Sequence, residues 1–427
     1  MTVSEPTISP IRAVAAFACG TLFFGYAFVQ RVVPGVMTEE LMRDFAVGAG
    51  ALGALSAFYF YAYAGIQLPV GLLMDRFGPR KLMSVAVALC ALASLGMAYS
   101  DSLLIASLCR GLIGVTVAFG FVGTLTIGSY WFAPVRFAML AGIIQTVGMM
   151  GAVIGLAPIR LLVESSGWRG TLTILAFAAM IIAILLFTVV PRRPRSSISA
   201  GSSDNPVAGL KAVIRNRQSW YCCGIGFGMT AVMLAFAGLW SVPWLHHVHA
   251  VSKTEAAGIA SLLFIGWAIG APIIGWLSDH IKRRKPLMIV GIMLNIACFS
   301  WILFVLDSSP LLLSTLFFIC GIAGSSMTAA FGSVREVNAP RYGATALGLL
   351  NMFVVGSGAV MQPLIGWLLD LQWSGLMVEG VRIYDAQDYF RAFTVLLLAN
   401  ILSLICCLLL KETYCKTLVH SGTSEPA

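Results

Sequence analysis

Charged residues are scarce in this sequence, since Asp, Glu, Lys and Arg together make up only 11% of its 427 residues. A soluble domain carries roughly 25%. Apolar residues reach 59%, which is more than a soluble globule needs for its core, so most of the chain is predicted to lie in lipid. The net charge of +9 is spread in short clusters between apolar runs, which indicates membrane topology rather than a nucleic-acid partner.

Groups that carry out chemistry are missing from the middle of the apolar runs. None of the 18 acidic residues and none of the five histidines falls there. An intramembrane enzyme needs convergent catalytic groups or a metal, so the sequence argues against an enzyme. The ten cysteines include no CxxC pair, which favours free buried thiols over a disulfide framework. No cofactor and no metal is therefore expected.

Twelve apolar runs are long enough to cross a bilayer as helices, which takes about 20 residues each. Period-2 alternation is absent, so these runs are predicted to be helices rather than strands. They cover residues 12–37, 48–74, 80–99, 103–131, 137–163, 169–191, 219–245, 255–278, 286–306, 309–334, 343–369 and 389–410.

One long polar break, residues 192–218, divides the runs into two sets of six. It is rich in Ser, Gly and Arg and is predicted to be a basic cytoplasmic linker, with a surface amphipathic helix near 207–217 as an alternative. Residues 1–191 and 219–427 are then an amino-terminal and a carboxy-terminal six-helix bundle, the second with a short tail. The distribution of Lys and Arg favours cytoplasmic termini in a bacterial inner membrane.

A charged motif occurs once in each half of the chain. GLLMDRFGPRK begins at Gly71, and GWLSDHIKRRK begins at Gly275. A second pair of related segments aligns Gln145 with Asn351. Two halves of like orientation are typical of transporters that bind their substrate at the interface of the repeats.

These features resemble the major facilitator superfamily over about residues 12–412. The first charged motif carries most of the resemblance, and Arg110-GLI-Gly114 in the fourth run is a weaker mark. The resemblance implies an all-α membrane protein of twelve transmembrane helices, arranged as two six-helix bundles related by pseudo-twofold symmetry. It also implies transport by alternating access.

The resemblance further implies that the charged motifs form a conformational latch. A helix amino terminus carries partial positive charge, so Asp75 is expected to dock at the helix start near Arg341. By symmetry, Asp279 is expected to dock near Arg136. The other predicted latch residues are Gly71, Arg76, Gly78, Arg80, Lys81, Gly275 and Arg284. The alternative is that the basic residues only fix the topology.

Polar and aromatic groups inside the runs are candidate substrate contacts. Tyr59, Tyr63 and Gln67 recur every four residues and so share one helix face. The other candidates are Arg31, Arg110, Gln145, Trp240, Trp267 and Asn351, with Ser325, Ser326 and Thr328 as additions. Helix packing is an alternative role for each of them.

Arg31 and Arg110 are the most informative candidates, because a buried guanidinium without an acid is costly. They predict a substrate that bears a carboxylate or another anionic group. The alternative pairs Arg31 with Asp44 or Glu40 as an outer gate, and has Arg110 bond backbone carbonyls. Arg160 is expected to form a local ion pair with the acid four residues later.

The sequence therefore predicts a secondary active or facilitative transporter of a small polar organic solute, an organic anion or amino acid. The alternatives are an exporter of a larger molecule such as a siderophore or drug, and a transporter-like membrane sensor. Without a midspan acid, exchange, facilitated diffusion or substrate protonation is expected rather than a carboxylate proton relay.

The expected partners are the substrate and the bilayer, and the protein is expected to be a monomer. A coupling proton or counter-anion, the transport direction and any role of His246, His247 and His249 stay open.

Overall fold

Helices dominate the computed structural model, which describes residues 9–132, 136–191 and 206–417. The described residues contain eleven helical stretches that are long and apolar enough to cross a membrane. One of them, Met139–Val189, has 51 residues, more than twice the about 20 that one crossing needs. It covers all but two residues of each of the predicted runs 137–163 and 169–191, so the eleven stretches account for the twelve predicted crossings.

The chain folds into two compact units. The first consists of the described residues within 1–45 and 58–202, and the second of those within 46–57 and 203–427. The third helix contributes to both units, because its first turns fall within 46–57 and the rest follows from residue 58. The basic segment 192–205 lies outside the described residues, and Pro206–Arg215 form a helix where the sequence allowed one near 207–217.

The first unit is built from the helices of the amino-terminal half. They are α1 (Pro10–Val32), a 3₁₀ turn (Val33–Val36), α2 (Thr38–Asp44), α3 (Ala49–Phe77), α4 (Pro79–Ala98), α5 (Leu103–Val117), α6 (Phe119–Trp131), α7 (Phe137–Ile154) and α8 (Ala157–Val189). Proline at the first position of α1 and α4 suits a helix start, where a backbone donor has no partner.

The second unit holds the remaining elements. They are α9 (Pro206–Arg215), α10 (Arg217–Ala231), a π-helix (Val232–Trp240), α11 (Ser241–His249), α12 (Lys253–Ile281), α13 (Lys285–Phe304), α14 (Pro310–Gly324), a 3₁₀ turn (Ser325–Met327), α15 (Thr328–Glu336), a 3₁₀ turn (Pro340–Tyr342), α16 (Gly343–Gln372), β1 (Met377–Val378), β2 (Val381–Arg382) and α17 (Ala386–Leu409). The two strands pair antiparallel as a short hairpin before α17.

Two glycines make the sharp turns that separate consecutive crossings in the first unit. Gly167 has φ 69° and ψ 168°, which breaks α8 between the fifth and sixth predicted runs. Gly78 has φ 76° and joins α3 to α4 within the first charged motif. Both conformations are unfavourable for a residue with a Cβ atom, so glycine defines these crossings.

The seventh crossing is irregular at its centre. Nine residues, Val232–Trp240, form a π-helix between α10 and α11. The amide nitrogen of Gln362, on α16, donates a hydrogen bond to the Leu234 carbonyl at 2.8 Å. The Trp240 indole donates in turn to the Gln362 backbone carbonyl at 3.1 Å. These two bonds fasten the π-helix to α16.

Candidate functional site

A buried arginine surrounded by aromatic rings lies near the end of α1. The Arg31 guanidinium carbon is 4.2 Å from the Phe28 ring centroid, 5.3 Å from that of Tyr63 and 5.8 Å from that of Tyr59. Only 7% of Arg31 is exposed, and its Nε atom has no hydrogen-bond partner among the described residues. Aromatic faces attract a cation but supply no counter-charge. The Arg31 guanidinium is therefore available to bind an anionic group.

Arg110 has a different environment, although it is only 4.7 Å from the Tyr59 ring. Its Nη1 donates to the Gln30 carbonyl at 2.6 Å, and its Nη2 donates to the Arg31 carbonyl at 3.2 Å. Four residues after Gln30 the chain has Pro34, which lacks the N–H that would normally bond that carbonyl. Arg110 thus supplies hydrogen-bond donors to the last carbonyls of α1, in agreement with the backbone-bonding alternative.

The two acids that the sequence offered to Arg31 have other partners. Glu40 pairs with Arg160 at 2.8 Å, and Asp44 accepts a hydrogen bond from the Trp168 indole at 2.8 Å. Among the described residues, no carboxylate lies within ion-pair distance of Arg31. The contact that the outer-gate alternative requires is therefore not formed in this structure, and the alternative stays untested.

Arg160 forms the local ion pair that the sequence predicted. Its Nε is 3.2 Å from the Glu164 carboxylate, four residues later on α8. Its Nη1 also donates to the Val36 carbonyl at 2.7 Å. This second bond and the pair with Glu40 fix the segment between α1 and α2, so Arg160 is a positioning residue.

The predicted face of α3 is partly assembled around Arg31. The rings of Tyr59 and Tyr63 are stacked, with centroids 6.1 Å apart and planes 14° apart. The Tyr59 hydroxyl donates to the Ala27 carbonyl at 3.2 Å, which orients the ring. Gln67, one turn further along α3, is half-buried. Phe28 completes the box, although a phenylalanine in an apolar run carries no signal that distinguishes it from packing residues.

The other predicted substrate contacts lie on four different elements. Gln145 on α7 is exposed and Asn351 on α16 is half-buried, each within its own unit. Trp240 is buried with its N–H bonded to Gln362, a residue that the sequence did not single out. Trp267 is buried beside Gly324, where an added Cβ atom would lie 2.8 Å from the indole ring. Their role in substrate binding stays a prediction.

The first charged motif is described only in part. Gly71 lies within α3, whereas the side chains of Asp75 and Arg341 lie outside the part that the structure describes. Arg80 donates to the Phe187 carbonyl at 2.7 Å and lies over that ring. The remaining residues of this group, Arg76, Lys81 and Arg136, are exposed. The latch role of the motif stays a prediction.

The second charged motif forms a dense network within its own unit. Arg284 binds Glu336 through two nitrogens, with Nε at 2.9 Å and Nη2 at 2.6 Å from the carboxylate. Arg284 Nη1 is also 3.4 Å from Asp279, whose side chain is 71% exposed. Glu412 accepts hydrogen bonds from the backbone N–H groups of Arg284 and Lys285, at 3.1 and 3.0 Å. The segment after α17 therefore caps the start of α13.

Gly275, the first residue of this motif, has no atom within 4 Å of the position that a Cβ atom would take.

A third polar cluster forms around Asp370, at the end of α16. Its carboxylate accepts hydrogen bonds from the backbone N–H groups of Ala49 and Gly50, at 3.1 and 2.8 Å. It also accepts from the Tyr384 hydroxyl at 2.6 Å and from Arg382 at 3.1 Å. A carboxylate at a helix amino terminus is electrostatically favourable, so Asp370 caps α3.

Two of the three histidines at the end of α11, His246 and His249, have contacts within the second unit. The Nδ1 atom of His246 is hydrogen-bonded to the Val251 carbonyl at 2.8 Å. The His249 ring lies against Trp244, with centroids 4.7 Å apart. His246 thus bonds the turn after α11, and His249 packs on a residue of α11 itself.

Comparisons with known proteins agree with this architecture. A family model described as the Major Facilitator Superfamily matches residues 19–363 and, overlapping, residues 234–416. YybO, an uncharacterized transporter of Bacillus subtilis (strain 168), is 26% identical over 395 residues, 84% of this chain and 88% of that protein. SauU, a probable sulfoacetate transporter of Cupriavidus necator, is 21% identical over 372 residues, 82% of this chain and 85% of that protein.

A solved structure shows the same fold. It is a bacterial homolog of the human lysosomal transporter spinster, in an inward-facing and unoccupied conformation. The TM-score is 0.77 at 17% sequence identity, with 94% of this chain and 98% of that chain covered.

The helical fold and these matches define a multi-pass membrane transporter that is not an enzyme. The chain belongs to the major facilitator superfamily, because the family model spans most of its length. The fold class, the family resemblance and the transporter class predicted from the sequence are thereby confirmed.

Proposed function

We propose that this protein moves a small organic anion across the bacterial inner membrane by alternating access, and that Arg31 binds the anionic group. The observation that carries the proposal is the aromatic box around a buried guanidinium that has no carboxylate partner among the described residues. A buried unpaired charge is costly, and an anionic ligand relieves that cost. A guanidinium also presents parallel N–H groups that fit a carboxylate or sulfonate.

The contrast between the two arginines supports Arg31 over Arg110 for this role. Two nitrogens of Arg110 are used by backbone carbonyls, and the residue is 1% exposed. An anion at Arg110 would have to compete with two hydrogen bonds that close the end of α1. Arg31 offers its charge without that loss, and the Tyr63 ring lies 5.3 Å from its guanidinium carbon.

The relatives favour the same class of solute. A probable sulfoacetate transporter is similar over 82% of this chain, and sulfoacetate carries both a carboxylate and a sulfonate. Transport coupled to a midspan acid is disfavoured, because the acids of this sequence lie outside the middle of the spans. We place both termini in the cytoplasm, as the distribution of basic residues indicates.

Transport of an anion and its neutral amide tests the proposal. Purified protein in proteoliposomes is assayed with benzoate, benzamide and sulfoacetate, for the wild type and for Arg31→Lys and Arg31→Gln. The wild type should prefer the anions. Arg31→Gln should lower kcat/KM for them about tenfold or more, and Arg31→Lys should retain part of the activity.

Arg43→Gln is the matched control, because the Arg43 side chain is 50% exposed and lies on α2, the helix that follows α1. It should leave anion uptake unchanged. A wild-type preference for the amide would overturn the proposal. So would an Arg31→Gln variant that raises KM equally for benzoate and benzamide.

A further inference from the structure

A cavity opens where the turn between α12 and α13 meets the segment after α17. Its volume is about 410 Å³, and its lining includes Arg283, Lys285, Val290 and Tyr414, all in the second unit. Lys285 begins α13, and Val290 lies five residues further along it, a rise of about 7.5 Å. The cavity is therefore basic at the start of α13 and apolar further along, where Ile289 and Val290 form its wall.

The acid that lines this cavity, Glu412, is held by backbone N–H groups rather than by the basic side chains. Its carboxylate accepts hydrogen bonds from the N–H groups of Arg284, Lys285 and Thr413, at 3.1, 3.0 and 3.0 Å. A carboxylate is stabilised at the amino terminus of a helix, where such N–H groups are free. Glu412 therefore caps α13 and is not the partner of the basic groups of the cavity.

The two basic side chains of the cavity have contacts that carry no counter-charge. The Arg283 guanidinium carbon lies 5.8 Å from the centroid of the Tyr414 ring. The Lys285 Nζ atom donates to the carbonyl of Leu408, near the end of α17, at 2.7 Å. Within the parts of the chain that the structure describes, neither side chain has a carboxylate within ion-pair distance. The cavity therefore presents positive charge to a ligand.

The cavity lies at the level of a membrane surface. Arg283 is in the turn between the end of α12 at Ile281 and the start of α13 at Lys285, so two crossings end here. Trp276, near the end of α12, and Tyr414 are both exposed, and aromatic residues collect at the interface between lipid and water. This surface is the cytoplasmic one in the orientation that we propose.

An apolar face continues from the cavity along α13. Val290, Leu294 and Trp301 are exposed, and the second and third of them follow Val290 by four and eleven residues, which places all three on one side of the helix. Because α13 is a membrane crossing, this face lies against acyl chains. A ligand with a negative head group and an acyl chain therefore meets a complementary surface at both of its ends.

We propose that this cavity binds an anionic phospholipid, whose head-group phosphate lies at Arg283 and whose acyl chain follows α13. Basic pockets on the cytoplasmic side of membrane proteins bind the head groups of anionic lipids. A guanidinium forms charge-assisted hydrogen bonds with phosphate, and Lys285 adds a second positive charge. A free phosphate ion would make none of the contacts along α13, so the lipid is the favoured occupant. The binding of lipid does not depend on which solute the protein carries.

Thermal unfolding of the purified, delipidated protein in mixed micelles tests the site. Phosphatidylglycerol is added stepwise, with phosphatidylethanolamine of the same acyl chains and glycerol 3-phosphate in parallel series. The wild type should gain stability with phosphatidylglycerol in a saturable manner, because a ligand stabilises the state that binds it. The neutral lipid and the soluble phosphate should give much smaller gains. Arg283→Gln should raise the half-saturating mole fraction of phosphatidylglycerol about fivefold, the effect of one basic group near an anionic surface.

Arg217→Gln is the matched control for the loss of charge. Arg217 is an exposed arginine at the start of α10, in the same unit, and does not line the cavity. Its variant should keep the wild-type response to phosphatidylglycerol. Arg283→Lys retains the positive charge, so its half-saturating mole fraction should stay closer to that of the wild type than that of Arg283→Gln does.

Native mass spectrometry of the wild type is a second measurement that needs no variant. At equal mole fractions, the protein should retain phosphatidylglycerol in preference to phosphatidylethanolamine. Equal retention of or equal stabilisation by the two lipids overturns the site, and so does an unchanged response of Arg283→Gln. An equal shift in Arg217→Gln would assign the effect to general surface charge, as expected if the basic residues only fix the topology. Stabilisation by glycerol 3-phosphate as large as that by the lipid would replace the lipid with a free anion.

Discussion

Asp370 Oδ2 lies 2.8 Å from the backbone nitrogen of Gly50, so an acid at the end of α16 caps the first turn of α3. Replacing Asp370 with Asn should lower the free energy of unfolding by about 1–2 kcal/mol, because the cap and the pair with Arg382 both lose a charge. Thermal or denaturant unfolding in detergent measures the change. Asp101→Asn is the control, since that side chain is 94% exposed in its pair with Arg169. An equal loss in both variants would contradict the capping role.

Close backbone contact between α3 and α16 gives a second prediction. A Cβ atom at Gly366 would overlap the Ala49 carbonyl, whereas one at Gly356, on the same helix, would meet nothing within 4 Å. Gly366→Ala should therefore destabilise the protein by about 1–3 kcal/mol through overpacking. Gly356→Ala should be neutral or slightly stabilising, because alanine favours a helix. If both variants unfold at the same temperature, the close contact is not maintained in solution.

The end of α1 gives a third prediction, which concerns Arg110 and Pro34. Arg110→Met should destabilise the protein by about 2–3 kcal/mol, because the carbonyls of Gln30 and Arg31 lose their donors. Adding Pro34→Ala should recover part of that loss, since alanine in place of the proline restores an N–H within reach of the Gln30 carbonyl. Unfolding of the two single variants and the double variant measures the coupling. Strictly additive losses would show that Pro34 is unrelated to the position of Arg110.

The pH dependence of the Asp370 cluster is a fourth prediction. Burial, and then the hydrogen bond to Asp370, raise the pKa of the Tyr384 hydroxyl well above its usual value. Since the folded state holds this proton more tightly, the stability from Tyr384 is fully present below about pH 10 and declines at higher pH. The difference in free energy of unfolding between wild type and Tyr384→Phe should therefore be constant from about pH 6 to 9 and shrink above about pH 10. A difference that already changes between about pH 6 and 8 would assign the titration to another group.

The sequence was sufficient for the fold because each crossing is encoded locally. Apolar length marks a span wherever it occurs, and Gly78 sits at a turn whose position the charged motif already indicates. The partners of polar groups were not predictable in this way. Asp370 was recognisable as an acid at the end of a span, but the N–H groups that it caps are about 320 residues earlier in the chain.

The candidate site also contains residues that the sequence predicted and residues that it did not. Arg31 and the Tyr59 and Tyr63 face were recognisable, because a charge and a four-residue period are visible in the sequence. Gln362 was not, since an amide inside a span looks the same whether it binds a ligand or fastens a π-helix. The irregular helix itself has no composition that distinguishes Val232–Trp240 from an ordinary apolar run.

That π-helix also sets the rotational phase of the seventh crossing. Each residue of an α-helix turns the chain by about 100°, and an i→i+5 ladder accommodates one extra residue in every turn. If the nine residues Val232–Trp240 adopted an α-helical conformation, α11 would rotate about the helix axis. Trp244 and the three histidines of α11 would then point in new directions, while α10 stayed where it is. The hydrogen bonds of Gln362 and Trp240 therefore fix the rotation of α11 about the axis of this crossing.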